Sequence, residues 1–343
     1  MTANPKAPDP TPDWPTPGSV HDAALGAVFG ALAGDAAGAV LEMQQQAPTA
    51  GDVDRAMRFP GGGFWMVAPG QVTDDGELTM CLLQALAESR AYEPDTVAKW
   101  YGRWYRSDPF DIGDATRAGL APAITHPPEQ PAGLALAMST SARARSMTSK
   151  ANGSLMRATP LGVWGRELDA DTLAAVARAD SALTHPNPSC GDAVAAYVIA
   201  IASLLRAPGD RSGAFGAARS WAEREACAEV RGWLDDAEHS RKPAYAPKAG
   251  FVKIAFTEAF RHLLLGTPWD IAVRETLLGG GDTDTNACIV GGITGAAGGA
   301  FGVVVRAREA VLASDHVFGR VRPSWLHPRE VPGLLTRVMG DTS

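Results

Sequence analysis

Three short stretches of the 343-residue chain gather carboxylates beside glycine and threonine. The first is Gly34-Asp35-Ala36-Ala37-Gly38, followed by Glu42. The second is Gly70-Gln71-Val72-Thr73-Asp74-Asp75-Gly76-Glu77, and the third is Gly279-Gly280-Gly281-Asp282-Thr283-Asp284-Thr285-Asn286. Adjacent acids repel, and burying them unpartnered costs several kcal/mol each. Thr73-Asp74-Asp75 suits a helix start equally well, with Thr73 as cap and the acids in the first turn. Asp282 and Asp284 flank Thr283 and lead into an almost purely apolar run, and two acids aimed at a buried region require a cation. Hard oxygen donors from Asp, Glu and Thr, with no Cys and no clustered His, select Mg²⁺ or Mn²⁺ over Zn²⁺. Two such acid pairs suit two ions about 3.5–4 Å apart that share or activate a water.

The elements that must bring these stretches together are helices. Leu78, Cys81, Leu82, Ala85 and Leu86 lie on one helical face. The same periodicity predicts helices over 20–33, 95–106, 170–182, 189–206, 214–236, 251–265, 269–278, 285–298 and 303–313. No convincing strand alternation appears. Gly and Pro clusters at 60–63, 127–131, 186–188, 243–250 and 279–281 punctuate the pattern, and no fixed period marks a solenoid. The expectation is one all-α domain over 19–340, with 207–249 as a polar surface excursion. Residues 1–18, with six prolines and no apolar core, read as a loose tail and not as an export signal. Ala287–Val305 lacks charge for 19 residues but carries six glycines, which favours a closely packed buried helix or helix pair over a lipid-spanning one.

The stretches Gly30-Ala31-Leu32-Ala33-Gly34-Asp35-Ala36-Ala37-Gly38, Gly70-Gln71-Val72-Thr73-Asp74-Asp75 and Gly280-Gly281-Asp282-Thr283-Asp284-Thr285-Asn286-Ala287 together resemble the three signatures of the ADP-ribosylglycohydrolases. The likeness runs in order from about residue 22 to 300, and its last motif is the most specific. The resemblance implies a compact all-α fold with a binuclear Mg²⁺ or Mn²⁺ site at the base of an ADP-ribose cleft. It places Thr73, Asp74 and Asp75 as ligands on one side and Asp282, Asp284 and Thr285 on the other. Asp35 lies near the metals, and Glu42 is an acid that in some relatives moves to reach a metal or the substrate. Many relatives carry Thr or Ser after the paired aspartates, where this chain has Gly76.

On the substrate side, Asn152-Gly153 alone is best read as a turn. The resemblance assigns Asn152, Gly153 and Ser154 to phosphate and ribose contacts, and Arg157 to a structural carboxylate partner. Lys150 stands where some relatives place an adenine-stacking aromatic. A lone His185 before Pro186 is by itself a packing or turn residue, whereas the family pattern places its imidazole in the cleft. Asp111 and Gly113 fall in another cleft loop, and Phe110 is a candidate for adenine or ribose packing. Trp65, Trp100 and Trp104 are expected in the core.

The implied reaction is hydrolysis of the bond between C1″ of ADP-ribose and an acceptor, through an oxocarbenium-like transition state. The metals would orient the ribose 2″ and 3″ hydroxyls and polarise water, and Glu42, Asp35 or Asp75 would carry the proton. ADP-ribosylated arginine on a protein is the expected substrate. Serine conjugates, O-acetyl-ADP-ribose, a non-catalytic ADP-ribose binder and a two-metal phosphoesterase are the alternatives. A net charge of −7 and a pI near 5.5 exclude a broad nucleic-acid footprint. Four scattered cysteines without a CxxC pair argue against a disulfide scaffold or cysteine zinc site. A cytoplasmic monomer without membrane attachment is the corresponding expectation.

Overall fold

The computed structural model describes residues 14–44, 46–127, 129–314 and 319–340. Sixteen α-helices span these residues, and no strand is present among them beyond two isolated bridges. In chain order they are α1 (Val20–Gly38), α2 (Ala50–Ala56), α3 (Asp74–Ser89), α4 (Pro94–Arg106), α5 (Asp114–Leu120), α6 (Leu134–Ser146), α7 (Thr159–Trp164) and α8 (Ala170–Ala182). Then come α9 (Pro188–Arg206), α10 (Arg211–Glu225), α11 (Ala228–Glu238), α12 (Val252–Leu265), α13 (Trp269–Leu278), α14 (Thr283–Gly298), α15 (Val305–Leu312) and α16 (Val331–Met339).

Three helices, α1, α9 and α14, are buried on nearly every face and form the centre. Their near-continuous Ala, Gly, Ile and Val content fits that place, since a helix apolar all round has no solvent side. Helix α9 is long and apolar enough to cross a membrane, yet 89% of its apolar window is buried within the molecule. Of Ala287–Val305, the first part belongs to α14, which ends at Gly298, and α15 starts only at Val305.

Helices α1 and α14 run antiparallel at a separation only glycine permits. A Cβ placed at Gly26 would lie 2.3 Å from the Gly295 carbonyl oxygen, and one at Gly30 would lie 2.3 Å from that of Gly291. At Gly34 it would meet the Ala287 carbonyl oxygen at 2.1 Å, and at Gly38 the Asp284 Cα at 2.4 Å. The four-residue spacing of these glycines puts one bare stripe along α1. Their role is to seat Asp35 of α1 beside the acidic start of α14.

Several expectations need correction. The helix expected over 214–236 is two, broken at Ala226–Cys227, where Asp192 accepts the Cys227 N–H at 2.7 Å. The stretch 207–249 is not a surface excursion, because Phe215, Trp221, Val230, Trp233 and Leu234 enter the core. The tail boundary also shifts. Residues 1–13 lie outside the described residues, but Trp14 packs its ring 5.9 Å from that of Phe29, and the Arg308 guanidinium covers it at 4.2 Å.

Arg157 is a structural cation, as expected. Its Nε meets Asp180 at 3.1 Å with both side chains fully buried, and its Nη1 donates to Thr184. Removing one partner strands a buried charge. Asp180→Ala is therefore expected to destabilise the protein by about 3 kcal/mol in urea unfolding; a loss below about 1 kcal/mol would show that water repairs the gap.

Candidate active site

The floor of the site is made by the starts of α3 and α14 against the end of α1. Asp35, Asp75 and Asp284 are buried and bring carboxylate oxygens within 4.8 Å of one another. Glu42, Asp282 and Asp284 form a second triad to the same limit. Asp284 belongs to both, so the two groups of acids adjoin through one side chain.

Asp35 acts as a helix cap supplied from another helix. Its carboxylate accepts the Thr73 N–H at 3.0 Å, the Thr73 hydroxyl at 2.9 Å and the Gly76 N–H at 2.8 Å. Thr73 occupies the N-cap position of α3 but its own side chain does not cap that helix. The simple capping account of Thr73 therefore fails, and its hydroxyl bridges Asp35 and Asp75, the latter at 3.1 Å. The same contact explains Gly76: a Cβ there would stand 2.7 Å from the Asp35 Oδ2.

Asp75 accepts from Thr73 on one oxygen and keeps the other buried with no hydrogen-bond partner, while the Thr285 side chain opposes the rise in its pKa. Thr285 also donates its N–H to Asp284 at 2.9 Å. Asp74 is buried and lines the cleft, but lies outside both triads. This separates it from Asp75: at the first turn of α3, successive side chains point in different directions.

Burial pushes the carboxyls of Asp74, Asp75 and Asp284 well above the usual range, and neighbouring acids push them further. Asp35 is raised to about 7, first by burial. Glu42 is raised by burial, with its hydrogen bonds to the Trp65 indole and Asp284 opposing. Such a set ionises together only beside compensating positive charge. The orphaned Asp75 oxygen and the all-oxygen donor set fit hard divalent cations.

A cavity of about 810 Å³ opens above this floor. Glu42, Asp282, Asp284 and Thr285 face it from the acid side. Asp111, half-buried in the loop before α5, has its pKa raised to about 9 by burial and then by the Asp74 charge. Phe110 and Trp65 line the cleft with ring centroids 5.9 Å apart. Trp65 is thus a cleft residue and not core, and its indole N–H donates to Glu42. The signal for it was position, an aromatic beside the Gly61–Gly63 turn that leads to the acids. Trp104 is core, donating to buried Glu77 at 2.6 Å, while Trp100 sits half-buried at the surface 5.5 Å from Trp325.

The opposite wall joins α5 to two turns. Gly153 packs so closely that a Cβ would lie 2.8 Å from His185 Cε1 and 3.3 Å from the Thr116 hydroxyl. His185 lines the cavity, bonds Thr184 through Nδ1 at 2.8 Å, and is neutral because burial lowers its pKa to about 3. Gly113 lines the cleft as the residue before α5. Asn152 donates its amide to Asp282 at 2.7 Å, so it orients a floor acid as well as facing the cavity. Ser154 is displaced from its expected role. It is fully buried, bonded to Ser181 at 2.9 Å and absent from the lining, because the turn directs its side chain inward. Lys150 is drawn to Glu229 at 2.7 Å and stacks on nothing in the cleft.

The class of protein these features define is an all-helical one in which acids from distant segments meet on the floor of a single cleft. The chain belongs to the ADP-ribosylglycohydrolase family, whose model matches residues 16–326, and it is an enzyme of that family. It is 28% identical to a protein named for ADP-ribosyl glycohydrolase activity in Acanthamoeba polyphaga mimivirus, over 80% of this chain and 86% of that one. It is 35% identical to the ADP-ribosyl-[dinitrogen reductase] glycohydrolase of Rhodospirillum rubrum over 30% of this chain and 35% of the relative. With the ADP-ribosylarginine hydrolase of Pseudomonas putida the identity is 34%, over 31% of this chain and 29% of the relative. The fold is shared with a solved chain of an ADP-ribosylglycohydrolase-related protein complex, at TM-score 0.71 and 23% identity, covering 94% of this chain and 98% of that one.

Proposed function

We propose that the protein hydrolyses the bond between C1″ of ADP-ribose and an arginine side chain of a modified protein, with two Mg²⁺ or Mn²⁺ ions held by the two triads. The observation that carries this reading is the pair of carboxylate triads sharing Asp284 beneath an 810 Å³ cleft. When bound, the cations supply Lewis acidity toward the ribose hydroxyls and a water. Asp35, held by Thr73 and Gly76, anchors the first triad. Glu42 faces the cavity with a raised pKa, and we assign it the proton transfer. The cleft is lined by the acids Glu42, Asp74, Asp111, Asp114, Asp282 and Asp284, and this suits a cationic guanidinium acceptor better than a neutral serine. The cysteines among the described residues are free thiols, which supports a cytoplasmic setting.

The test is release of ADP-ribose from ADP-ribosyl-arginine with Mg²⁺ or Mn²⁺ and with EDTA. Release at least about 10³-fold above the EDTA rate is expected. Release from ADP-ribosyl-serine alone would move the acceptor. Binding of ADP-ribose without release from any conjugate would make the protein a binder, and phosphate release from simple esters would make it a phosphoesterase.

The cluster also predicts a pH-dependent stability. Asp35 at about 7 and Asp111 at about 9 hold protons in the folded state that the unfolded chain releases near 4. Their contribution is complete below pH 4 and is lost as pH rises through 7 and 9. In thermal melts the metal-free protein is expected to weaken over that interval, and excess Mn²⁺ to raise Tm by at least about 4 °C at alkaline pH, with a smaller gain in acid. A Tm unaffected by Mn²⁺ at every pH would argue that these acids hold no ion.

A further inference from the structure

The cleft is lined by six carboxylic acids and a single arginine or lysine, Arg117. Arg117 lies on α5 directly after Thr116, the residue packed against Gly153 beside His185. It is exposed, and its guanidinium makes no ion pair or hydrogen bond with any described residue. The arginines buried around the site are committed. Arg157 is paired with Asp180 and Arg322 with Glu77. A cation left unpaired in a cleft this acidic is available to something that enters from outside.

An anionic ligand in this cleft meets repulsion from the acid side. Divalent cations held by the two triads would offset the floor acids only. His185, the other nitrogen base on this wall, is buried and uncharged. We propose that Arg117 is a specificity-determining residue that takes the diphosphate of a nucleoside-diphosphate sugar, its planar fork holding phosphate oxygens in a bidentate contact. This assignment rests on the proposed reading of the cleft and adds to it the group that selects a diphosphate over a simple glycoside.

The experiment is calorimetric titration of the full chain with ADP-ribose in the presence of Mg²⁺, for wild type, Arg117→Gln and Arg117→Lys. Arg117→Gln is expected to weaken ADP-ribose binding about tenfold. It should raise KM by a similar factor and leave kcat within about twofold, as loss of uniform binding does. Arg117→Lys should recover part of the loss, since it restores charge but not the fork. Added NaCl should weaken ADP-ribose binding more steeply in wild type than in Arg117→Gln. Mn²⁺ binding measured in the same variants should be unchanged. Equal ADP-ribose binding by wild type and Arg117→Gln overturns the assignment while leaving the cleft reading intact. Loss of Mn²⁺ binding in Arg117→Gln overturns it in favour of a structural role. A wild-type protein that binds Mn²⁺ but not ADP-ribose overturns the cleft reading itself, and the assignment with it.

Discussion

Asp284→Asn is expected to lower kcat/KM by at least about 10³-fold while the fold is kept. Asp284 is the side chain common to both triads, so its loss removes one carboxylate from each at once. The amide keeps the shape and accepts the Thr285 N–H as the carboxylate did. What changes is charge. The remaining acids lose part of the negative field that attracts divalent ions, and the repulsion that Glu42 and Asp75 exert on the Asp284 carboxyl is removed. The metal-free variant should therefore melt no lower than metal-free wild type, and its Tm should respond less to Mn²⁺. This pairing, dead but not destabilised, separates a site acid from a structural one. Asp180→Ala should show the opposite pattern, losing stability through the stranded Arg157. Turnover by Asp284→Asn within tenfold of wild type would remove the shared-acid account.

Gly34→Ala is expected to destabilise the protein by about 3 kcal/mol and to remove cation binding as well. The added methyl would sit 2.1 Å from the Ala287 carbonyl oxygen, and the obstacle is main chain on a buried helix. Backbone cannot rotate away as a side-chain tip can, so α1 and α14 must part. Asp35 then moves off Thr73 and Gly76, and the two helix starts that carry the triads lose their registration. Gly298→Ala is the matched control. A Cβ at Gly298, the last residue of α14, would meet nothing within 4 Å, and the change should be neutral or slightly stabilising. Equal stability of the two variants by denaturant unfolding would show that the seam yields more readily than its separation implies.

The long helices were legible because their periodicity or apolar run was long, as in 189–206 and 251–265. Helices α2, α5 and α7, of seven, seven and six residues, are too short to carry two turns of pattern. The break between α10 and α11 was hidden because it is made by Asp192, from another helix, reaching the Cys227 N–H. At the site, the acids of the three motifs were visible as residue types that have no reason to be buried unpartnered. Their division of labour was not. That Asp35 caps α3, that Asp74 stands apart from the triads and that Asn152 holds Asp282 depend on side-chain directions set by tertiary contact. Trp65 is expected in the core as a large ring, but it lines the cleft beside Phe110 and bonds Glu42, contacts that its sequence neighbours do not announce. Ser154 illustrates the reverse, a motif residue turned inward toward Ser181.

The seam between α1 and α14 bears on how the enzyme comes into being. Asp35 lies near the start of the described chain and Asp284 close to its end, yet they share one floor. A growing polypeptide on the ribosome holds α1, with its bare glycine stripe, long before the surface that covers it has been synthesised. The shared floor is therefore complete only when translation has delivered α14. The pairing of helices so distant in sequence should make docking of α14 a slow, late event in folding.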